Sequence, residues 1–221
     1  MITGTILKQL APSLPKDKSN EYAGYLAKIC PLYGMGDADV LHEFIARLLV
    51  ECREFTVFEE SLNYSVDGLL KTFGTARITP AQAAQVGRSK TQKADKEGIG
   101  NIVYGGDWGK KNLGNTLPGD GWTFRGSGPI QMTGRGNITQ FAKYYNNISG
   151  TKYTPEQMAA LLRTDVSIGV HSACWLFAIS KQLIDEAIND NLNAVVKKIN
   201  GGLIGLDETK KYYELAKRLI V

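Results

Sequence analysis

Histidine and cysteine are scarce in this chain of 221 residues, with two of the first and three of the second. His42-Glu43 opens like the zinc-binding helix of a protease, but Ala46 stands where the second histidine would be needed. His171 lies in an apolar run and reads as a satisfied core histidine. Cys30, Cys52 and Cys174 are odd in number and far apart, which gives neither a disulfide framework nor a metal knuckle. No GxSxG elbow and no GxxxxGK[ST] loop occurs, so serine hydrolysis and nucleotide hydrolysis have no support. No metal or organic cofactor is expected. No apolar run reaches the ~18 residues that a membrane span requires, and no stable membrane insertion is expected. Residues 1–14 lack a basic start followed by a long apolar core, so no signal peptide is expected and a reducing cytoplasm is the expected place of folding. By elimination, the acid–base groups available are carboxylates.

What is present is a foldable globular composition, 43% hydrophobic and 22% charged. The net charge of +4 is far from a nucleic-acid-binding balance, and no nucleic acid is expected as partner. It is unevenly spread. Residues 1–70 carry 6 basic and 10 acidic side chains, residues 71–163 carry 13 and 5, and residues 164–221 carry 7 of each. The basic middle suits either an anionic polymer or a solvated lysine-rich surface.

Apolar residues recur at helical spacing from Val40 to Cys52, which predicts a helix over 38–54 capped by Asp37 or Asp39. Further helices are predicted over 65–73, over 79–97 from a Thr79-Pro80 start, from Thr154-Pro155 to Arg163, over a buried 165–180, over 192–199, and from an Asp207 cap to Ile220. Residues 105–137 read as turn and loop around a short strand or hairpin. The expected fold is mainly α, a single helical unit with a glycine-rich loop region.

Glu51 is the informative position. At about 100° per residue it falls about 20° from both Val40 and Phe44, on the apolar stripe of its helix. Glu43, Arg47 and Glu54 fall on the polar side. A desolvated glutamate keeps its proton to higher pH, as a general acid must. The alternative is a helix-end glutamate reaching water. Nine residues later, Glu60 sits in a loop and could face Glu51 across a groove, and two carboxylates are the minimum equipment for glycoside hydrolysis. The loop 119–137 offers flat rings in Trp122 and Phe124, hydrogen-bonding groups in Arg125, Gln131 and Asn137, and glycines at 126, 128, 134 and 136. A structural turn with a packing tryptophan is the alternative there, as a plain helix end is for Asn200-Gly201-Gly202.

Taken together, Glu60-Ser61-Leu62-Asn63-Tyr64-Ser65, the run GDGWTFRGSGPIQMTGRGN at 119–137, Ile199-Asn200-Gly201-Gly202 and ARITPAQAAQVGR at 76–88 resemble glycoside hydrolase family 19. The order and spacing resemble its bacteriophage endolysin branch, over roughly residues 36–219. The resemblance implies an α+β lysozyme-like, two-lobed helical fold with a substrate groove. It implies inverting cleavage of β-1,4 links beside N-acetylated sugars. It assigns Glu51 as general acid, Glu60 as general base and Thr133 as the hydroxyl that helps hold the water. Asn63, Tyr64, Trp122, Arg125, Gln131, Asn137 and Asn200 fall at substrate-binding positions.

One departure accompanies the match. The family has His-Glu-Ser/Thr followed by Gly-Gly around its acid, where this chain reads Val50-Glu51-Cys52-Arg53-Glu54-Phe55. Glu54 is therefore the second candidate for the acid, and a carbohydrate binder without turnover is an alternative. The expectation drawn is a monomeric endolysin, one catalytic domain over 1–221, held in the host cytoplasm until a separate pore-forming protein releases it to the wall. Its expected partner is the glycan strands of peptidoglycan. A helical insert at 65–103, with Arg77, Arg88, Lys90, Lys93 and Lys96, is expected to grip the wall or to act as a brace. A chitinase acting on N-acetylglucosamine polymers is the alternative enzyme.

Overall fold

A computed structural model describes residues 2–221, which divide into two compact units. The first holds residues up to Phe58, Gly128–Ile130 and Leu162–Val221, and the second holds Glu59–Ser127 and Gln131–Leu161. In chain order the first unit opens with α1 (Gly4–Leu10), α2 (Lys16–Ile29) and α3 (Ala38–Glu51). The second contains α4 (Val66–Phe73), α5 (Pro80–Val86), α6 (Lys96–Val103), α7 (Gly106–Leu113), α8 (Asp120–Thr123) and α9 (Arg135–Ser149). Helix α10 (Pro155–Thr164) carries the chain out of it. Then follow α11 (Val166–Cys174), α12 (Ile184–Ile188), α13 (Leu192–Asn200) and α14 (Leu206–Leu219). Among the described residues the extended pairing is confined to isolated bridges, Glu59 with Ser127, Ser127 with Met132, and Ser65 with Arg88.

The first unit is built around α3. Every residue from Val40 to Leu49 is buried, because α14 and the short α12 and α13 pack against it. This corrects the placing of Glu43 and Arg47 on a polar face. Helical periodicity presumes a solvent side, and α3 has none along this stretch. Glu43 is fully buried with no hydrogen-bond partner on either carboxylate oxygen. Burial drives its carboxyl up to about 8, the charges of Asp190 and Glu186 push the same way, and Lys217 opposes them. Arg47 donates to the Thr209 hydroxyl at 3.0 Å. His171 behaves as read, half-buried with Nδ1 3.0 Å from the Tyr33 hydroxyl. All three cysteines are buried free thiols.

The second unit has its own core of Leu62, Leu69, Phe73, Ile78, Ala83, Val86, Ile99 and Val103, with Tyr64, Tyr104 and Trp122 against it. Here the boundaries depart most from the sequence reading. The helix expected over 79–97 is two helices, because the chain turns at Gly87. A Cβ there would meet the Ala83 carbonyl oxygen at 2.6 Å and the Val66 backbone at 2.9 Å. Thr79 does start α5, through a complete capping box with Gln82. The region 105–137 holds the helices α7 and α8 as well as loop, so glycine content overstated the loop. The last helix begins after Gly205 in the left-handed conformation and not at an Asp207 cap. The segment 165–180 is α11 followed by π-helical turns from Trp175 to Ser180; it is buried from Ile168 to Ala178 except at the half-buried His171 and Leu176, while Ile179 and Ser180 are exposed. No helix among the described residues is long and apolar enough to cross a membrane.

Candidate functional site

Glu60 is the best-defined acidic group of the second unit. It follows the bridge residue Glu59, and its backbone N–H donates to the Gly126 carbonyl at 2.9 Å. The side chain folds back onto the same residue, with the Gly126 N–H donating to Oε2 at 3.3 Å. The Tyr104 hydroxyl donates to both carboxylate oxygens, at 2.8 and 2.9 Å. Burial raises the Glu60 carboxyl above its ordinary range, while the Tyr104 and Gly126 hydrogen bonds and the charges of Arg77 and Arg125 pull it back. The result is a half-buried carboxylate with its orientation set.

Gly126 permits that arrangement. A Cβ there would lie 2.7 Å from Gln131 Oε1 and 3.2 Å from Glu60 Cβ, so a bare backbone lets the Gln131 amide and Glu60 share one small space. Gln131 itself is left-handed, with φ +49°. Thr133 donates its hydroxyl proton to the Gln131 carbonyl at 2.9 Å, which leaves its oxygen as an acceptor. The Asn137 amide donates to the Thr133 carbonyl at 2.9 Å from the first turn of α9. Asn63 is exposed, and Tyr64 is half-buried edge-on to Phe73 at 5.2 Å.

The rest of the loop is more structural than its composition suggests. Phe124 is fully buried beneath the Arg135 guanidinium, 4.5 Å from the ring centroid, so it offers no face to a sugar. Arg125 is also buried. It donates to Glu59 through Nε at 3.0 Å and pairs with the same carboxylate through Nη2. Its Nη1 donates to the Trp122 carbonyl at 2.6 Å. Its guanidinium covers the Trp122 ring at 3.5 Å. Asp120 accepts from the backbone of Thr116 and Leu117 and pairs with Arg135, and those bonds hold its carboxyl below the usual range against the opposing effect of burial.

Glu51 ends α3 in the first unit. It is half-buried, beside an apolar pocket lined by Phe44, Leu48, Leu176 and Phe177, and it is ion-paired with Arg47. Neither sequence alternative foresaw that pair. The residues after it, Arg53, Glu54 and Phe55, are left-handed with φ of +47°, +56° and +61°. That is a conformation glycine adopts freely and L side chains resist. Glu54 is saturated: its carboxylate accepts from the Ser13 N–H at 3.1 Å, from the Ser13 hydroxyl, and from the Tyr212 hydroxyl at 2.8 Å. Burial works against its ionisation, yet those bonds hold the carboxyl below its usual range. A proton donor near neutral pH is the role it suits least. Asn200 is exposed and donates to the Ile204 carbonyl at 2.9 Å, around a left-handed Gly201.

In the insert, Arg88, Lys90, Lys93 and Lys96 are exposed. Arg77 is not a free surface charge, because its guanidinium lies over the rings of Phe73 and Trp108 at 4.7 and 4.3 Å. Among the described residues no cluster of metal-ligating side chains is found.

No family model matches the chain. A glycosyl hydrolase family 19 domain-containing protein of Haemophilus influenzae is 33% identical over 170 residues, 77% of this chain and 74% of that protein. Among solved structures, chitinase C from Streptomyces griseus matches with a TM-score of 0.60 at 12% identity, over 99% of this chain and 92% of the other. A chitinase C mutant matches with a TM-score of 0.58 at 10% identity, over 99% of this chain and 76% of the other. At such low identity these two likenesses speak for a lysozyme-like fold alone.

Proposed function

The chain belongs to glycoside hydrolase family 19, and from that premise we propose that it is an endolysin that cuts β-1,4 bonds of peptidoglycan with inversion. Hydrolysis of glycans is the family's reaction; the substrate, the residue roles and the lytic setting are the proposal. Glu60 is the general base. The observation that carries the assignment is its half-buried carboxylate, held by Tyr104 and Gly126 beside Gln131.

Glu51 is the general acid and protonates the leaving oxygen. Glu60 takes one proton from the attacking water, whose remaining O–H donates a hydrogen bond to the Thr133 oxygen and stays on the product. Inversion requires the two carboxyl groups about 6.5–9.5 Å apart so that this water fits. After each turnover Glu51 is ionised and Glu60 protonated, and exchange with solvent resets both. Asn63, Tyr64, Gln131, Asn137 and Asn200 bind sugar hydroxyl and acetamido groups. Trp122 and Arg125 shape the loop that presents them.

Peptidoglycan is favoured by the charge of residues 71–163, 13 basic against 5 acidic, with Arg88, Lys90, Lys93 and Lys96 exposed on the insert. The wall is an anionic polymer that such a surface attracts. The enzyme waits as a monomer in the host cytoplasm and reaches the wall through a separate pore-forming protein. A chitinase is the second reading, supported by the fold shared with chitinase C.

The test is clearing of purified murein with reducing ends counted, beside hydrolysis of soluble chito-oligosaccharides. Wild type should clear murein faster than it cuts the oligosaccharides. Glu51→Gln and Glu60→Gln should sediment with the wall and release no new ends. Equal or faster cutting of chito-oligosaccharides would move the substrate to chitin. Sedimentation without any turnover by wild type would make the chain a binding protein.

A further inference from the structure

We propose that Tyr104 is a positioning residue for hydrolysis, its hydroxyl bridging both oxygens of Glu60 and so fixing the plane of the catalytic carboxylate. The inference rests on Glu60 being the general base. Tyr104 lies outside the four segments that carry the family resemblance.

A single O–H shared between two carboxylate oxygens, at 2.8 and 2.9 Å, restrains rotation of the carboxyl group about its last bond. The Gly126 N–H on Oε2 adds a second restraint from a different loop. With those donors placed, the remaining lone pairs of the carboxylate are available to one water. A base that rotates freely presents the wrong lone pair much of the time, and positioning of this kind is worth orders of magnitude in rate.

Tyr104 is itself tightly held. It caps the end of α6. Its carbonyl accepts from the Asn115 amide at 2.8 Å, and the Asn115 Oδ1 accepts from the Arg135 N–H at 2.8 Å. Its ring stands edge-on to Phe73, 6.0 Å between centroids and 88° between planes. Phe73 belongs to the core that the 65–103 insert builds for itself. The insert therefore acts as a brace for the general base as well as carrying an exposed basic surface.

The groups that face Glu60 compete. Burial favours its neutral form, while Tyr104, the Gly126 N–H, Arg77 and Arg125 favour the carboxylate. Burial and the adjacent Glu60 push the Tyr104 hydroxyl well above its usual range, with Tyr64 adding to and Arg77 opposing the rise. Tyr104 thus keeps its proton throughout the working range and stays a donor. Removing the hydroxyl leaves burial less opposed, so Glu60 protonates at higher pH. A base must be ionised to work, so the acid limb of the kcat/KM profile moves to higher pH.

The experiment compares wild type, Tyr104→Phe, Phe73→Leu and Glu60→Gln on whichever glycan wild type cleaves. It is joined to a carbon-13 titration of the Glu60 carboxyl, assigned by its absence in Glu60→Gln. Tyr104→Phe should lose on the order of 10- to 100-fold in kcat with little change in KM. Its acid limb and its Glu60 titration should both move upward. Phe73→Leu loosens the ring and keeps the hydroxyl, so it should lower Tm and move the limb by less than Tyr104→Phe does. If Tyr104→Phe fails to fold, Tyr104→Met, which also lacks a donor, should show the same upward shift. An unmoved limb and titration in the donor-free variant, with Glu60→Gln inactive, would overturn the inference and leave the base assignment standing. An active Glu60→Gln would instead overturn the base assignment.

Discussion

Glu43 in the first unit and Glu60 in the second are both carboxylic acids held away from water, and they differ in their partners. Glu43 is fully buried in the middle of α3 and neither of its oxygens receives a hydrogen bond. Its carboxyl rises to about 8, so it is mostly neutral at pH 7. Glu60 is half-buried, and burial is again the largest influence and raises its carboxyl, but the Tyr104 hydroxyl, shared between both oxygens, and the Gly126 N–H pull the other way. Burial alone yields a protonated group of no use as a base. Burial opposed by fixed donors yields a carboxyl group whose anionic form its partners favour and whose oxygens are aimed. The donors, more than the depth, mark the candidate functional group.

The sharpest way to disturb the contrast is at Gly126. Gly126→Ala places a methyl group 2.7 Å from Gln131 Oε1, the far end of a flexible side chain, which must move. We expect on the order of a tenfold loss in kcat/KM with Tm lowered by only a few degrees, measured by reducing-end assay and thermal melt. An unchanged rate would show that the shared space of Gln131 and Glu60 is incidental.

A second disturbance makes the other glutamate harmless. The unfolded chain ionises Glu43 near its ordinary value of 4.5, while the folded protein keeps the proton until about 8. Stability is therefore highest below pH 4.5 as far as this group is concerned, and it declines as pH rises from there to about 8. At ~1.4 kcal/mol per pH unit the loss by pH 7 is about 3 kcal/mol. Glu43→Met should flatten that decline, with a gain in Tm that grows from pH 5 to 8 and glycan hydrolysis unchanged. A constant gain at every pH would mean that packing and not protonation is responsible.

The smallest effect concerns the loop after Glu51. Arg53 is exposed and left-handed at φ +47°, where glycine is free of Cβ strain. Arg53→Gly should stabilise by about 1 kcal/mol, or roughly 2–4 °C in a chain of this size. A fall in Tm would show that the arginine side chain compensates for its backbone.

How much of this was legible in the sequence varies by region. The helix carrying Glu51 was plain, because seven apolar residues repeat at its period. Its burial on every side was not, since α14 lies more than 150 residues away and leaves no local trace in residues 38–51. The break between α5 and α6 escaped because the close approach of Gly87 to the Val66 backbone is a tertiary fact. Helices α1, α2, α7, α8, α9 and α12 were not predicted at all. Within the loop 119–137 the residue types were right for a polar site, but composition could not tell Gln131, beside Glu60, from Arg125, already committed to Glu59. Tyr104 lies 44 residues from Glu60 and belongs to no acid–base motif. Its neighbours in Tyr-Gly-Gly marked only a turn.

The central claim is that Glu60 is the general base, and chemical rescue tests it most directly. Glu60→Ala removes the base and opens space for a small anion beside the anomeric carbon. Its rate should fall at least a thousandfold, and added azide should restore turnover by yielding a glycosyl azide of inverted configuration. Hydrolysis by Glu60→Ala at the wild-type rate, with or without azide, would contradict the account.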